Sequence, residues 1–135
     1  MKGAMCADNV LQVIILTTKT FARWQGKEQI ANESLRRAVA EMRQGLIDAD
    51  LGGGLVKKRL ARSGAGKSAG YRTLLATNKH DKWFFIYGFA KNERDNISRQ
   101  EVRALKALVK SLLVLNVEQI HNAKLTGELQ EIGHG

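Results

Sequence analysis

Side chains that could act on a phosphate are concentrated between Gly52 and Arg94, where Asp81 is the one acid before Glu93. They are cations and tyrosines: Lys57, Lys58, Arg59, Arg62, Lys67, Tyr71, Arg72, Tyr87, Lys91 and Arg94. Such a set suits RNA, in which the 2′-hydroxyl can attack the neighbouring phosphate. The protein then has to align the backbone, stabilise negative charge and move two protons. A lysine crowded by other cations can act as a base near neutral pH, so this chemistry needs no metal and no cofactor.

The glycine-rich loop from Arg62 to Gly70 superficially resembles a phosphate-binding P-loop, because Gly66, Lys67 and Ser68 are consecutive. The required spacing is missing, since Ala61 stands where that motif needs its first glycine, and no helical pattern follows. Nucleotide hydrolysis is therefore disfavoured. Two interpretations stay open: a basic loop that closes over an RNA backbone, in which glycines let amides approach phosphates, or a connection without a role.

Three β-type runs position these residues: 55–61, 71–77 and 82–91. Period-two alternation in the first run puts Lys57 and Arg59 on one face with Leu55, and Lys58 on the other. This pattern fits a cationic groove, and it also fits an edge strand protected by charge. In the last run, alternation predicts that Trp83, Phe85, Tyr87 and Phe89 share a face opposite Phe84, Ile86 and Ala90. Core packing is the usual role of such aromatics, although the Tyr87 hydroxyl could reach a groove.

The remaining segments predict a scaffold around the three runs. A strand is expected over 11–18, then a short helix capped by Thr20 and interrupted at Gly26, and a longer helix over 31–46. Ser98 and Glu101 form a capping box that starts another helix. Residues 114–135 either extend that helix or add a short one. The helix that starts at Ser98 also carries a basic stripe that could hold phosphates or simply face solvent: Arg99, Arg103, Lys106 and Lys110.

The charge balance favours a polyanionic partner. The 135 residues include 22 lysines and arginines against 13 acids, a formal net charge of +9. Nucleic acid, an anionic membrane surface or an acidic protein would fit this excess. The single cysteine, Cys6, excludes an internal disulfide and fits a reducing cytoplasm. The apolar run from Val10 to Leu16 is too short for a membrane span.

Other kinds of site find little support. Asp48 and Asp50 lack a further ligand at a recognisable spacing, so we interpret them as turn formers rather than a metal site. The three histidines, His80, His121 and His134, do not form a zinc pattern or a cysteine–histidine pair.

Residues 13–113 resemble the HigB-like branch of the RelE/ParE toxin superfamily. The resemblance rests on KKRLARSGAGKSAGYRTLLA followed by WFFIYGFAKNERDNI, with TKTFARW and GLIDADLGGG before them. It implies an α+β, RelE-like fold: N-terminal helices packed on a small, twisted, mostly antiparallel sheet of four strands, with a C-terminal helix. We accordingly expect a disordered N-terminus over 1–9, a toxin domain over 10–114 and a helical extension or tail over 115–135.

The same resemblance implies a bacterial, cytoplasmic toxin that cleaves mRNA, usually on a translating ribosome. A cognate antitoxin, commonly a helix-turn-helix DNA-binding protein encoded alongside, would neutralise it. The resemblance implies no membrane partner.

Matching the motifs residue by residue assigns roles. Arg72 would grip the scissile phosphate, Lys57 and Arg59 would form the basic pair that supplies the base, and Lys91 and Arg94 would form a cationic tip. We take Lys57, Arg59, Arg72 and Lys91 as catalytic. The expected RNA-binding residues are Lys58, Arg62, Lys67, Tyr71, Tyr87 and Arg94. Some relatives have an arginine at the position of Asn92 and a tyrosine near Ile97 and Ser98, which leaves the identity of base and acid open.

Two other functions share the same positive charge. ParE-like members of the superfamily poison gyrase and cut no RNA, and a non-catalytic RNA- or ribosome-binding module would look similar in composition. The basic strand pair with Arg72 beside it favours the nuclease.

Overall fold

A six-stranded sheet with two helices on each face forms the part of the chain that the computed structural model describes, residues 13–61 and 70–132. The elements are β1 (Ile14–Thr18), α1 (Lys19–Glu28), α2 (Asn32–Arg43), β2 (Ala49–Gly52), β3 (Leu55–Leu60), β4 (Tyr71–Thr77), β5 (Lys82–Ala90), α3 (Arg99–Leu113), α4 (Val117–Thr126) and β6 (Leu129–Glu131). The predicted α+β class is confirmed. The predicted count of four strands is wrong, because β2 and β6 join the sheet as well.

The strands lie in the order β2-β3-β4-β5-β1-β6. β1 runs parallel to β5, and the other neighbours are antiparallel, as expected for a mostly antiparallel sheet. Helices α1 and α2 cover one face through Phe21, Leu35 and Val39, while α3 and α4 cover the other through Val109 and Ile120. With both faces covered, β1 can be apolar almost throughout.

Strand β2 was not predicted, because Ala-Asp-Leu-Gly lacks the residues typical of a strand, and the segment was interpreted as a turn. Its pairing with β3 depends on the glycines that follow. Gly52, Gly53 and Gly54 all have positive φ, at 89°, 65° and 92°. Residues that carry a side chain rarely adopt a positive φ, so three consecutive glycines allow the chain to reverse here.

The helix boundaries differ from the predicted ones at α1 and α2. The cap of α1 is Thr18, whose hydroxyl accepts a hydrogen bond from the Phe21 amide at 3.1 Å, rather than Thr20. The helix continues through Gly26, which therefore does not interrupt it. Helix α2 ends at Arg43 rather than at the predicted residue 46, and Leu46 is exposed.

The C-terminal elements extend the sheet and one core. The capping box of Ser98 and Glu101 is present at the start of α3, and α4 is a separate helix rather than an extension. Strand β6 pairs with β1, and Leu129 is buried. The division at residue 114 stays a prediction, as does the one at residue 9, since residues 1–12 lie outside the described part. None of the described helices is long and apolar enough to cross a membrane.

A β-bulge in β5 reverses the predicted alternation of its aromatics. Leu74 pairs with Tyr87 and Leu75 pairs with Phe85, so Ile86 is an extra residue on β5. Trp83 and Phe85 consequently face α1 and α2, whereas Tyr87 and Phe89 face the α3 side. The predicted single face for these four aromatics is wrong, because one inserted residue moves every later side chain to the opposite face.

Candidate nucleic-acid interface

The α3 face of the sheet is covered at one end and carries cations at the other. Leu55 and Leu74 lie in the same apolar cluster as Val109 of α3. Two residues further along β3, the side chains on this face become Lys57 and Arg59. The alternation predicted for β3 is therefore confirmed: it places both cations beyond the apolar contact with the helix, where they are at least partly exposed.

Arg72 extends this positive surface across the sheet. Its Cα is the register partner of Arg59 on β3 and of Phe89 on β5. Like charges directly opposite each other on antiparallel strands repel, so the pair costs stability in the absence of an anion. No acid in the described ranges forms an ion pair with Arg72. Asp48 lies near Arg59, with 3.8 Å between Oδ1 and Nε, and also accepts a hydrogen bond from the Arg59 backbone amide.

Arg94 is held by its neighbours in a cluster that we call the Arg94 network, formed by Tyr87, Arg94, Asn96 and Glu101. Its guanidinium donates two hydrogen bonds to the Glu101 carboxylate, at 2.9 and 2.5 Å, and one to the Tyr87 hydroxyl at 3.1 Å. Its Nε donates to the Asn96 carbonyl oxygen at 3.0 Å. The guanidinium also lies over the Phe89 ring, 5.3 Å from the centroid, in cation–π geometry.

The electrostatics of the Arg94 network fix the charges of its two ionised groups. Hydrogen bonds from the Arg94 guanidinium, then from the Ser98 amide, lower the pKa of Glu101 to about 2. The same contact with Glu101 raises the pKa of Arg94 above its ordinary value. These contacts engage most of the guanidinium donors and leave few for a phosphate, and the RNA-binding role expected of Arg94 stays a prediction.

Asn96 joins the Arg94 network to β3. Its side-chain Oδ1 accepts a hydrogen bond from the Lys57 ammonium at 3.2 Å and another from the Ile97 amide at 2.9 Å. Sequence reasoning missed Asn96, because a search for phosphate ligands selects cations and passes over a neutral amide. The one available signal is its place in the AKNERDNI motif.

Two predicted RNA-binding residues lie on the opposite face of the sheet. Lys58 is buried, and its ammonium donates to the Leu46 carbonyl oxygen and pairs with Glu41, both at 2.9 Å. Tyr71 is also buried, and its ring packs edge-on against Trp24 at 5.4 Å. Neither side chain is placed to contact RNA at the cationic surface, which is a correction to the sequence analysis. Burial decided both outcomes, and residue type alone could not reveal it.

The remaining predicted residues are Lys91, Arg62 and Lys67. Lys91 follows β5 directly, is exposed, and donates its backbone amide to the Gly70 carbonyl oxygen at 2.9 Å, which places it beside the start of β4. Arg62 and Lys67 lie outside the described residues. The structure thus brings Lys57, Arg59, Arg72 and Tyr87 together on one face, with Lys91 at the adjoining strand end.

This arrangement can bind a phosphate through arginine and move protons through lysine and tyrosine. Arginine stays protonated at any physiological pH, whereas lysine can exchange its proton, so the two residue types have separate uses. Among the described residues, there is no group of three or more histidine, cysteine, aspartate or glutamate side chains that could hold a metal ion.

Comparison with known protein families identifies the family of this chain. The family described as "RelE toxin of RelE / RelB toxin-antitoxin system" matches residues 13–132, which include all six strands. A comparison with curated proteins finds no significant match. Because the family match spans most of the 135 residues, the chain belongs to the RelE toxin family and has the role of a toxin in a toxin–antitoxin system.

Proposed function

We propose that the protein is a HigB-like endoribonuclease that cleaves mRNA on translating ribosomes, without a metal. The observation that carries this proposal is the position of Arg72. It lies on a partly exposed face beside Arg59, and no described acid is paired with it. Asp48 offsets part of the charge of Arg59, but the repulsion between the two opposed arginines still favours a bound anion, and an RNA phosphate has the charge and the geometry for bidentate contact.

The proposed reaction is attack by a 2′-hydroxyl on the adjacent phosphorus. The 2′-oxygen loses its proton and bonds to phosphorus, the bond to the 5′-oxygen breaks, and that oxygen takes up a proton. The products are a 2′,3′-cyclic phosphate and a 5′-hydroxyl. Arg72, with Arg59, would stabilise the charge that develops on the phosphate oxygens, which is the largest contribution such a site can make.

Lys57 is our candidate for the base and Tyr87 for the acid. Of the basic pair on β3, Arg59 cannot give up its proton near neutral pH, so Lys57 is the residue able to accept one from the ribose. Tyr71 is buried on the other face, which leaves Tyr87 as the tyrosine with a hydroxyl beside the cations. Lys91, at the adjoining strand end, would bind a flanking phosphate.

Partners follow from the same proposal. Membership of the family implies an antitoxin, and we propose a helix-turn-helix DNA-binding protein encoded beside this chain. The RNA substrate would be the mRNA of a translating ribosome. A toxin that acts there would be located in the cytoplasm.

The decisive variant is Arg72→Ala. We expect it to abolish mRNA cleavage on translating ribosomes, measured by mapping new mRNA 5′ ends, while its circular dichroism and unfolding midpoint stay close to the wild type. Arg37→Ala is the matched control, since it removes the same charge from an exposed position on α2. Cleavage by Arg72→Ala at the wild-type rate would refute the proposed function.

The two other functions predict different results in the same experiment. A non-catalytic module would give no new mRNA ends with the wild-type protein. A ParE-like toxin would also leave mRNA intact and would instead inhibit DNA supercoiling by gyrase in vitro.

A further inference from the structure

The side chain of Asn96 provides the hydrogen-bond acceptor for the Lys57 ammonium, at 3.2 Å from Oδ1. The two residues are distant in sequence, and the contact crosses from the segment before α3 to strand β3. We propose that Asn96 is a positioning residue, which orients the Lys57 ammonium toward the RNA without strongly holding its proton. This inference rests on the proposed function, in which Lys57 accepts the proton of the 2′-hydroxyl.

The chemical type of Asn96 is informative because acids lie next to it. Glu93, Asp95 and Asn96 are all exposed in the same short segment, yet the neutral amide is the side chain that contacts Lys57. A carboxylate at that distance would favour the charged form of the lysine and oppose its action as a base. An amide oxygen fixes the direction of the ammonium with a weaker preference for the charged form.

Asn96 is itself held on two sides, so it can fix the position of another group. Its Oδ1 accepts a second hydrogen bond from the Ile97 amide, and this pair of donors defines the orientation of the amide group. Its carbonyl oxygen accepts from Arg94, which the Glu101 carboxylate binds in turn. Because Glu101 also caps α3 through Ser98, the contact to Lys57 is tied to the start of that helix.

Among the described residues, Asn96 is the polar contact of the Lys57 ammonium, because the nearby charged groups are either cations or acids that bind other partners. Arg59 and Arg72 on the same face, and Arg94, are cations that have no acceptor to offer the Lys57 ammonium. The acids are engaged elsewhere: Glu101 binds Arg94, Asp48 accepts from the Arg59 amide, and Asp50 pairs with Lys79. Tyr87 and Lys57 are both register partners of Leu74, and the Tyr87 hydroxyl accepts a hydrogen bond from Arg94.

The test is Asn96→Asp, which keeps the size of the side chain and an oxygen for both hydrogen bonds but adds a negative charge. Single-turnover cleavage of mRNA on translating ribosomes is measured from pH 6 to 9. The added carboxylate should hold the Lys57 proton, so the acidic limb of the pH–rate profile should move up by about one pH unit. The rate at neutral pH should fall about tenfold and recover at high pH. Asn122→Asp, an exposed position on α4 with the same change of charge, should leave the profile unmoved.

Asn96→Ala provides a second measurement that does not depend on the added charge. Loss of the hydrogen bond should lower kcat roughly threefold to tenfold with little change in KM and no upward movement of the acidic limb.

Two results would overturn the inference: an Asn96→Asp profile that coincides with the wild type, or one lowered equally at every pH, as repulsion of RNA would produce. If Arg72→Ala is inactive and either result appears, only the role of Asn96 fails. If Arg72→Ala cleaves normally, the proposed function itself fails.

Discussion

Lys57 and Lys58 are adjacent lysines whose side chains have opposite surroundings. Lys57 faces the cationic surface, and Lys58 is buried against α2 beside Glu41. The period-two pattern of β3 was enough to predict that they point to opposite faces. It could not show that Lys58 has a carboxylate partner, because that partner comes from a different element and depends on how α2 packs.

These neighbours offer a direct separation of activity from stability. Lys57→Gln should lower cleavage at least a hundredfold and leave the unfolding midpoint unchanged, because the residue would act as the base and is partly exposed. Lys58→Ala should reduce the free energy of unfolding by about 1–3 kcal/mol, through loss of stem packing and of a buried hydrogen bond, with normal cleavage by the folded fraction. Urea unfolding and 5′-end mapping measure the two effects. If Lys58→Ala abolished cleavage and Lys57→Gln did not, the reactive lysine would be Lys58, on the α2 side of β3.

The Arg94 network shows a second limit of reading residues by type. Arg94 is an arginine in a basic motif, and the resemblance placed it among the RNA ligands. Glu101 was recognised only as half of a capping box, which the structure confirms. That the same carboxylate also binds Arg94 depends on how the segment 94–98 folds back, which no spacing rule describes.

At the level of elements, the bulge in β5 determines which aromatics reach the cationic face. The inserted Ile86 turns Tyr87 and Phe89 toward α3, and it also turns Gly88 toward α1. A Cβ on Gly88 would lie 2.3 Å from the Trp24 indole ring. The sequence shows a glycine among aromatics, but neither the bulge nor the indole above it could be predicted from composition.

Gly88→Ala should therefore destabilise the protein by about 1–3 kcal/mol, because the added methyl group overpacks against a rigid ring. Gly26→Ala is the matched control, since nothing lies within 4 Å of a Cβ built there in helix α1. That control should be stabilised by about 0.5–1 kcal/mol. Chemical denaturation of both variants gives the comparison. In a double variant with Trp24→Leu, the Gly88→Ala penalty should shrink, and full additivity would show that the two side chains do not meet.

Elements with strong patterns were predictable, and those defined by partners were not. β1, β3, β4, β5 and the α3 capping box were all recognised from their residues. β6 is three residues long, Leu-Gln-Glu, and becomes a strand because β1 offers it an edge. The same reasoning applies to β2, Ala-Asp-Leu-Gly, which precedes β3 and pairs with it through a glycine turn.

For the whole molecule, net charge and its distribution predict how RNA binding responds to salt. If the surface neutralises about six phosphates, affinity for single-stranded RNA should fall by about 2.5 decades between 50 and 200 mM salt, because binding displaces the cations condensed on the RNA. The measurement uses a single-stranded RNA with a deoxyribose at the cleaved position, which removes the attacking hydroxyl. Arg72→Ala should reduce the slope of log affinity against log salt by about 0.7 of a unit. A flat dependence would argue against a phosphate-binding surface.

The position of β1 between β5 and β6 has a consequence for the timing of synthesis. The strand near the start of the described chain, at 14–18, needs partners at 82–90 and 129–131 to be flanked on both sides. A growing polypeptide cannot supply the last of these until residue 131 has been translated. Contacts this remote along the chain also form slowly. The complete sheet of this toxin can therefore form only after residue 131 has been translated, and until then β1 has a partner on one side alone.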